Sequence, residues 1–273
     1  MSMERRSALV TGASAGLGVE FARQLAVRGF DLLLIARRSE RLRSLAKVLT
    51  EDNDVRVETF PVDLSVPESP SRILAYARER DLRIDCLVNN AGAAGKDLLQ
   101  ERSWSEHAKY LELMMISVAQ MCHLFVPPMC DRGHGWVINV ASVAGRIPRS
   151  NDLTYGPSKA YLVALSEALD LTVRPSGVRV SALCPGYTHT EFHRAGGLLE
   201  MKARTPAFIW YDAEVVVREG LRAVEKGKSV IVSGRLYRWL DPLLQWLWSR
   251  RLIKRFMYRG FGSAIRNIRD HFC

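Results

Sequence analysis

Tyr155 and Lys159 stand four residues apart in the run YGPSK at 155–159, a spacing that stacks both side chains on one face of a helix. Pro157 fits a helix only in its first turn, so Tyr155 is expected at the open amino end. A phenol beside an ammonium can trade a proton with a carbonyl or an alcohol near neutral pH, because the cation favours the phenolate. Ser142 closes an apolar run at 135–142 and can hydrogen-bond the same substrate oxygen. The pair alone is common in sequences; its weight comes from the patterns around it.

One such pattern is a glycine-rich turn, TGASAGLG at 11–18. Gly12 suits a tight turn, Gly16 a close backbone approach to phosphate, and Gly18 close packing of helix on sheet. The unpaired N–H groups of that helix can then face a pyrophosphate. No Lys-Ser/Thr pair follows the glycines, which argues against a P-loop. The next apolar run ends in Ala36, Arg37 and Arg38, where an acidic residue would bind adenosine ribose hydroxyls. Guanidinium groups there can pair with a 2′-phosphate that a carboxylate would repel, so NADPH is expected over NADH. Arg37, Arg38, Arg41 and Arg43 could instead be solvated at a helix amino end, but cations are unfavourable there unless an anion joins them.

These residues need elements to hold them. Apolar runs at 7–12, 31–37, 55–64, 86–92, 135–142, 178–186 and 227–234 read as strands. Helical spacing fills 17–28, the segment to Leu49, 68–80, 104–130 and 155–173. Strands alternating with helices predict an α/β fold, a doubly wound, mainly parallel Rossmann-like sheet covered on both faces. Ligands in such sheets gather beyond the carboxyl ends of the strands, where the motifs above lie.

The chain has 273 residues, 48% of them hydrophobic, enough for a large core and far from a disordered composition. Its five cysteines are scattered, without a CxxC pair or a zinc-like grouping with the six histidines, so no metal is expected. The amino terminus lacks a signal-peptide pattern, and a reducing, cytoplasmic setting is expected. The net charge of +10 is uneven: residues 235–273 hold nine Arg and Lys against Asp241 and Asp270, which accounts for +7. The rest is nearly neutral, so specific nucleic-acid binding is a poor reading of the charge.

TGASAGLG, NNAG at 89–92, Ser142, YGPSK and PGYTHT at 185–190 occur in the order of the classical short-chain dehydrogenase/reductase family, which this chain resembles over about 7–234. The resemblance implies one NAD(P)-binding and catalytic domain, 1–234, with a substrate lid at 187–214. It implies that Gly12, Ser14, Gly16 and Leu17 line the dinucleotide, with Gly18 beside them, and that Asp63 and Leu64 flank adenine. Asn90, Ala91 and Gly92 would approach the adenosine ribose, and Pro185, Gly186, Thr188 and Thr190 would hold the nicotinamide amide. Ser142, Tyr155 and Lys159 match the catalytic triad, with Tyr155 and Lys159 also contacting the cofactor, NADP(H). Asn89 and Asn90 could equally tie strand ends together, and Thr190 could cap the segment after it.

One position departs from the pattern. Many members place an asparagine on the long central helix, where it holds a water in a proton relay through the lysine. The usual spacing puts Met114 there, and a thioether cannot donate a hydrogen bond. Ser117 is the nearest polar alternative in sequence. The departure keeps a second reading open, a non-catalytic NADP(H)-binding sensor or scaffold, against the enzyme reading that the intact triad supports.

Leu198, Leu199, Met201, Phe208, Ile209, Trp210 and Tyr211 can line an apolar chamber under the lid, or only pack the lid on the core. They favour a hydrophobic ketone or secondary alcohol, such as a lipid, steroid, isoprenoid or aromatic compound. The resemblance also implies a homo-oligomer. In 235–273, a basic amphipathic extension, Asp241-Pro242 reads as an N-cap and first helical residue. Its Trp, Leu and Arg content suits either peripheral membrane contact or packing against the core or a second subunit, and its apolar stretch, interrupted by glutamine and arginine, is too short to span a bilayer.

Overall fold

Near-continuous runs of Val, Ile, Leu and Ala become the central strands, buried on both faces because helices cover the sheet above and below. The computed structural model describes residues 5–95, 98–99, 101, 103–149, 152–191 and 206–245. Strands β1 (Ser7–Thr11), β2 (Asp31–Ala36), β3 (Val57–Pro61), β4 (Ile84–Asn89), β5 (Gly135–Val140) and β6 (Val178–Cys184) are joined by β9 (Val230–Val232) in one parallel sheet. Its order is β3-β2-β1-β4-β5-β6-β9. The chain therefore winds outward from β1 to β3, returns, and winds the other way from β4. The reversal between β1 and β4 opens a crevice at the carboxyl ends of the strands.

Helices α1 (Gly16–Val27), α2 (Ser39–Asp52) and α7 (Ala213–Glu225) belong to one face, where Phe21, Leu25, Leu42, Val217 and Leu221 are buried with Val10 and Leu34. Helices α3 (Ser69–Glu79), α5 (Ser117–Arg132) and α6 (Tyr155–Val173) belong to the other, where Ile73, Met121, Phe125 and Leu162 meet Leu9, Leu87 and Val137. Helix α4 (Trp104–Leu111) runs into α5 through a π-helical turn, Glu112–Ile116. Among the described residues, the composite helix Trp104–Arg132 is long and apolar enough to cross a membrane. Here Met121, Phe125, Val126 and Met129 bury its apolar side in the core instead.

The expected strands all form, several of them shorter than their apolar runs. Three features differ. Helix α7 was not among the expected elements, although Val216, Val217, Leu221 and Val224 supply its buried stripe. Two short strands, β7 (Thr188–His189) and β8 (Tyr211–Asp212), pair within the expected lid. Helix α8 spans Arg235–Gln245, so Asp241 is no N-cap and Pro242 lies inside the helix. The start is set by tertiary contacts: Arg238 pairs with Glu219 at 2.7 Å and its N–H reaches the Gly234 carbonyl at 3.0 Å.

A buried polar ladder crosses the middle of the sheet. Asn89 Nδ2 donates to Asn139 Oδ1 at 2.9 Å, and Asn139 Nδ2 donates to Ser166 Oγ at 2.9 Å. It ties β4, β5 and α6 together, and each bond keeps a buried amide satisfied.

Candidate active site

Helix α6 begins where the sequence places Tyr155. Asp152 Oδ1 accepts the Gly156 N–H at 2.8 Å, supplying an acidic cap two residues before Thr154. Pro157 falls in the first turn. One turn on, Lys159 is 4% exposed; its Nζ lies 5.7 Å from the centroid of the Tyr155 ring and donates to the Val140 carbonyl at 2.7 Å. Burial lowers the Lys159 ammonium to about 8. Burial raises the Tyr155 phenol, and a hydrogen bond with Ser142 opposes the rise.

Ser142 follows β5, between backbone bonds that fix it against β6. Ala141 N–H reaches Leu183 O at 2.7 Å, and Val143 N–H reaches Pro185 O at 3.0 Å. The hydroxyl accepts from Ala144 N at 3.1 Å. Ser142, Tyr155 and Lys159 thus meet at the ends of β5 and β6, a geometry suited to protonating an oxygen and holding the charge that develops there.

The glycine turn joins β1 to α1. Close approach demands Gly18: a Cβ there would stand 2.2 Å from the Gly12 carbonyl oxygen and 2.7 Å from Asn90 Nδ2. Among the described residues no side chain caps the amino end of α1, which leaves its first N–H groups for an anion. Ser14 lies in this turn, and Arg38 donates to its hydroxyl from Nε at 3.1 Å and Nη2 at 2.9 Å. Leu17, in the first turn of α1, packs on the core. Arg37 lies 3.7 Å from Asp63, whose carboxylate also accepts from the Ser65 N–H and hydroxyl. The Leu64 side chain is buried in the core.

Asn90 does what its alternative reading expected. Its Nδ2 donates to Thr11 O at 2.9 Å, while Thr11 Oγ1 accepts from Asn90 N and Ala91 N at 2.9 and 3.0 Å. These bonds fasten β1 to β4 at the crevice. Gly92 follows, between Met114 and Lys159: a Cβ on it would stand 3.4 Å from Met114 Sδ and 3.7 Å from Lys159 Nζ. Met114 is thus a neighbour of Gly92, as Lys159 is. Its sulfur accepts the Ala93 N–H at 3.3 Å, and the π-helical turn surrounds it. Ser117 is no substitute, because its hydroxyl donates to Leu113 O at 2.9 Å within its own helix.

After β6, Gly186 lies under the ring of Tyr237, where a Cβ would come within 2.0 Å of the ring carbons. The Tyr237 hydroxyl donates to Ile209 O at 3.2 Å. Thr188 is buried and donates to Gly186 O at 3.1 Å, and Thr190 packs over Gly16. Helix α8 also reaches the segment after Ser142: Arg146 forms a two-point pair with Asp241 at 2.9 and 2.8 Å, and Gln245 donates to Arg146 O at 2.8 Å. Tyr237, Asp241 and Arg146 were not read as site residues, because their partners lie 28–95 positions away.

In the lid, Trp210 stacks on Tyr187 at 5.1 Å and His189 at 5.3 Å, and Tyr211 packs at 6.0 Å from Tyr237. Trp210 thus packs within the lid, and Tyr211 ties the lid to the core through Tyr237. Phe208 is 73% exposed; Leu198, Leu199 and Met201 lie outside the described residues.

A short chain dehydrogenase profile matches residues 6–197. The chain belongs to the short-chain dehydrogenase family. Among relatives of this short-chain dehydrogenase, the very-long-chain 3-oxoacyl-CoA reductase of Mycosarcoma maydis is 35% identical over 179 residues, 64% of this chain. The match spans only 51% of that relative's length. Sulfoacetaldehyde reductase 2 of Chromohalobacter salexigens is 33% identical over 193 residues, 69% of this chain and 76% of that one. A short-chain dehydrogenase from Sphingobium yanoikuyae, solved in complex with NADPH, superposes with a TM-score of 0.77 at 31% identity, covering 89% of this chain and 95% of that one. The bulky-bulky ketone specific alcohol dehydrogenase from Comamonas testosteroni gives 0.74 at 26% identity, covering 90% and 95%.

Proposed function

We propose that this enzyme, a short-chain dehydrogenase/reductase, interconverts a bulky hydrophobic ketone and its secondary alcohol, with a lipid, steroid, isoprenoid or aromatic compound as the substrate class. The cofactor is NADP(H). The observation that carries the reading is the meeting of Ser142, Tyr155 and Lys159 at the carboxyl end of the sheet, which also carries the glycine turn and the arginines that follow β2. The uncapped amino end of α1, with Gly12, Ser14, Gly16, Leu17 and Gly18 around it, would hold the pyrophosphate. Arg37 and Arg38 would hold the 2′-phosphate, Asp63 and the Leu64 backbone would flank the adenine, and the 90–92 backbone would pass the ribose. Pro185, Gly186, Thr188 and Thr190 would form the wall for the nicotinamide.

Bound NADPH supplies the hydride for the carbonyl carbon. The chain's own residues manage the proton and the alignment. Tyr155 donates its phenolic proton to the carbonyl oxygen as negative charge grows there, and Ser142 steadies that oxygen with its hydroxyl. Lys159, one helical turn away, stabilises the phenolate left behind. The Val140 carbonyl and the neighbouring Met114–Gly92 contact keep its ammonium in place. With Met114 in the usual asparagine position, the lysine's proton must travel by backbone groups or solvent.

The substrate reading is motivated by the apolar residues of the lid and by the similarity to the bulky-bulky ketone specific alcohol dehydrogenase of C. testosteroni. NADPH consumption is expected to be faster with apolar two-sided ketones than with a small anionic carbonyl such as sulfoacetaldehyde. A preference for the small anion would overturn it.

The setting is proposed to be the cytoplasm, with the segment 235–273 meeting an anionic membrane face and a second copy covering the α4–α6 side. Trp239 and Leu243, one turn apart on α8, are 70% and 49% exposed. An apolar hollow of about 210 Å³ between α4 and α6 is lined by Trp104, His107, Leu111 and Met115. Sedimentation tests both: the protein should run as an oligomer alone and pellet with phosphatidylserine vesicles. A monomer would refute the first, and failure to pellet the second.

A further inference from the structure

Arg38 and Arg41 stand at the start of α2, where a helix disfavours cations. Arg37 has Asp63 as an ionic partner and Arg43 has Glu40. For Arg38 and Arg41 the ionic partner among the described residues is one and the same carboxylate, Glu191, which comes from a point 150 residues further along the chain than Arg41. Arg41 Nη1 lies 2.7 Å from Glu191 Oε2 and Arg38 Nη1 lies 3.6 Å from it. The hydrogen bond from Arg41, chiefly, holds the Glu191 carboxyl below its usual range.

Arg38 has few donors to spare. Its Nε and Nη2 edge is spent on the Ser14 hydroxyl and carbonyl in the glycine turn, and Nη1 faces Glu191. A phosphate monoester brings more than one negative charge at neutral pH and prefers the same guanidinium edges. Glu191 and a 2′-phosphate cannot share these two arginines without like-charge repulsion, and the carboxylate, half exposed, is free to swing into water.

We propose that Glu191 is an internal counter-anion of the 2′-phosphate site: it occupies Arg38 and Arg41 until the cofactor's 2′-phosphate displaces it, and so determines how strongly the enzyme prefers NADPH to NADH. This rests on the assignment of the arginines at the start of α2 to the 2′-phosphate. NADH, with a hydroxyl at that carbon, cannot replace the carboxylate and leaves the ion pairs closed. The exchange also links the two ends of the cofactor site, because Glu191 directly follows Thr190, which packs over Gly16.

The test is a set of binding titrations at fixed ionic strength with NADPH, NADH and 2′,5′-ADP, on the parent protein and on Glu191→Gln, Arg38→Ala and Arg41→Ala. Glu191→Gln should tighten NADPH and 2′,5′-ADP by about threefold to tenfold, the scale of losing a competing surface ion pair, and leave NADH unchanged. The two arginine variants should weaken NADPH and 2′,5′-ADP and spare NADH. Glu191→Gln that leaves NADPH binding unchanged or weaker, or tightens NADH equally, while the arginine variants lose NADPH, would overturn the exchange alone. Arginine variants that bind NADPH like the parent would overturn the phosphate-site assignment beneath it.

Discussion

Tyr155→Phe is expected to lower kcat for ketone reduction by about 10²–10⁴-fold while NADPH binding stays as it was. The ring is part of the wall at the amino end of α6, and phenylalanine fills the same space. What it removes is the hydroxyl that hydrogen-bonds with Ser142 and carries the proton. Steady-state rates beside a cofactor titration separate the two effects. Unchanged kcat would remove Tyr155 from the chemistry. Loss of kcat together with loss of cofactor binding would point to a structural role. The same variant decides against a sensor or scaffold reading, in which no turnover exists to be lost.

Lys159→Met should abolish reduction and yet make the protein more stable at neutral pH. The ammonium is 4% exposed, and burial lowers it from its ordinary 10.5 to about 8. The unfolded chain therefore binds more protons than the folded one between about pH 8 and 10.5. In that window the folded state gains stability as pH rises; below pH 8 the full cost of the buried charge is present. That cost is on the order of 3 kcal/mol. Removing the bond to the Val140 carbonyl gives back about 1 kcal/mol, so a net gain of roughly 1–2 kcal/mol is expected at pH 7. Chemical denaturation at several pH values checks it: the parent should become more stable from pH 8 to 10.5, and Lys159→Met should lack that rise. A variant less stable than the parent at pH 7, with the same pH slope, would contradict the claim. The cost is the sort that functional residues impose on a core.

Local patterns account for most of what could be read before the structure. Apolar runs became strands because both faces of a parallel sheet are buried. YGPSK placed Tyr155 and Lys159 because proline restricts where a helix can start. Met114, at the odd position, is a neighbour of Gly92, as Lys159 is. The π-helical turn around it was not readable, since it depends on how the helix must pack rather than on any residue in it. The same holds for α8. Its sequence offers Asp-Pro as a start, but Arg238–Glu219 and Tyr237 over Gly186 accompany a helix that begins seven residues before Pro242, at Arg235. Asp241, read as a cap, is instead the partner of Arg146, four residues after Ser142. Asn90 illustrates a different limit. Its motif pointed equally to cofactor and to strand ends, and only the bonds to Thr11 show how its side chain is used. Glu191 carried no local signal at all, because its meaning lies in two arginines far away in sequence.

The central claim is that Ser142, Tyr155 and Lys159 serve hydride transfer to a hydrophobic ketone. The most direct measurement is reduction of a bulky apolar ketone with NADPH deuterated at the transferable position, read by mass spectrometry. The product alcohol should carry one deuterium at its carbinol carbon with the parent enzyme, and Tyr155→Phe should form almost none of it. Product without deuterium, or no alcohol from any apolar ketone despite tight NADPH binding, would contradict the account.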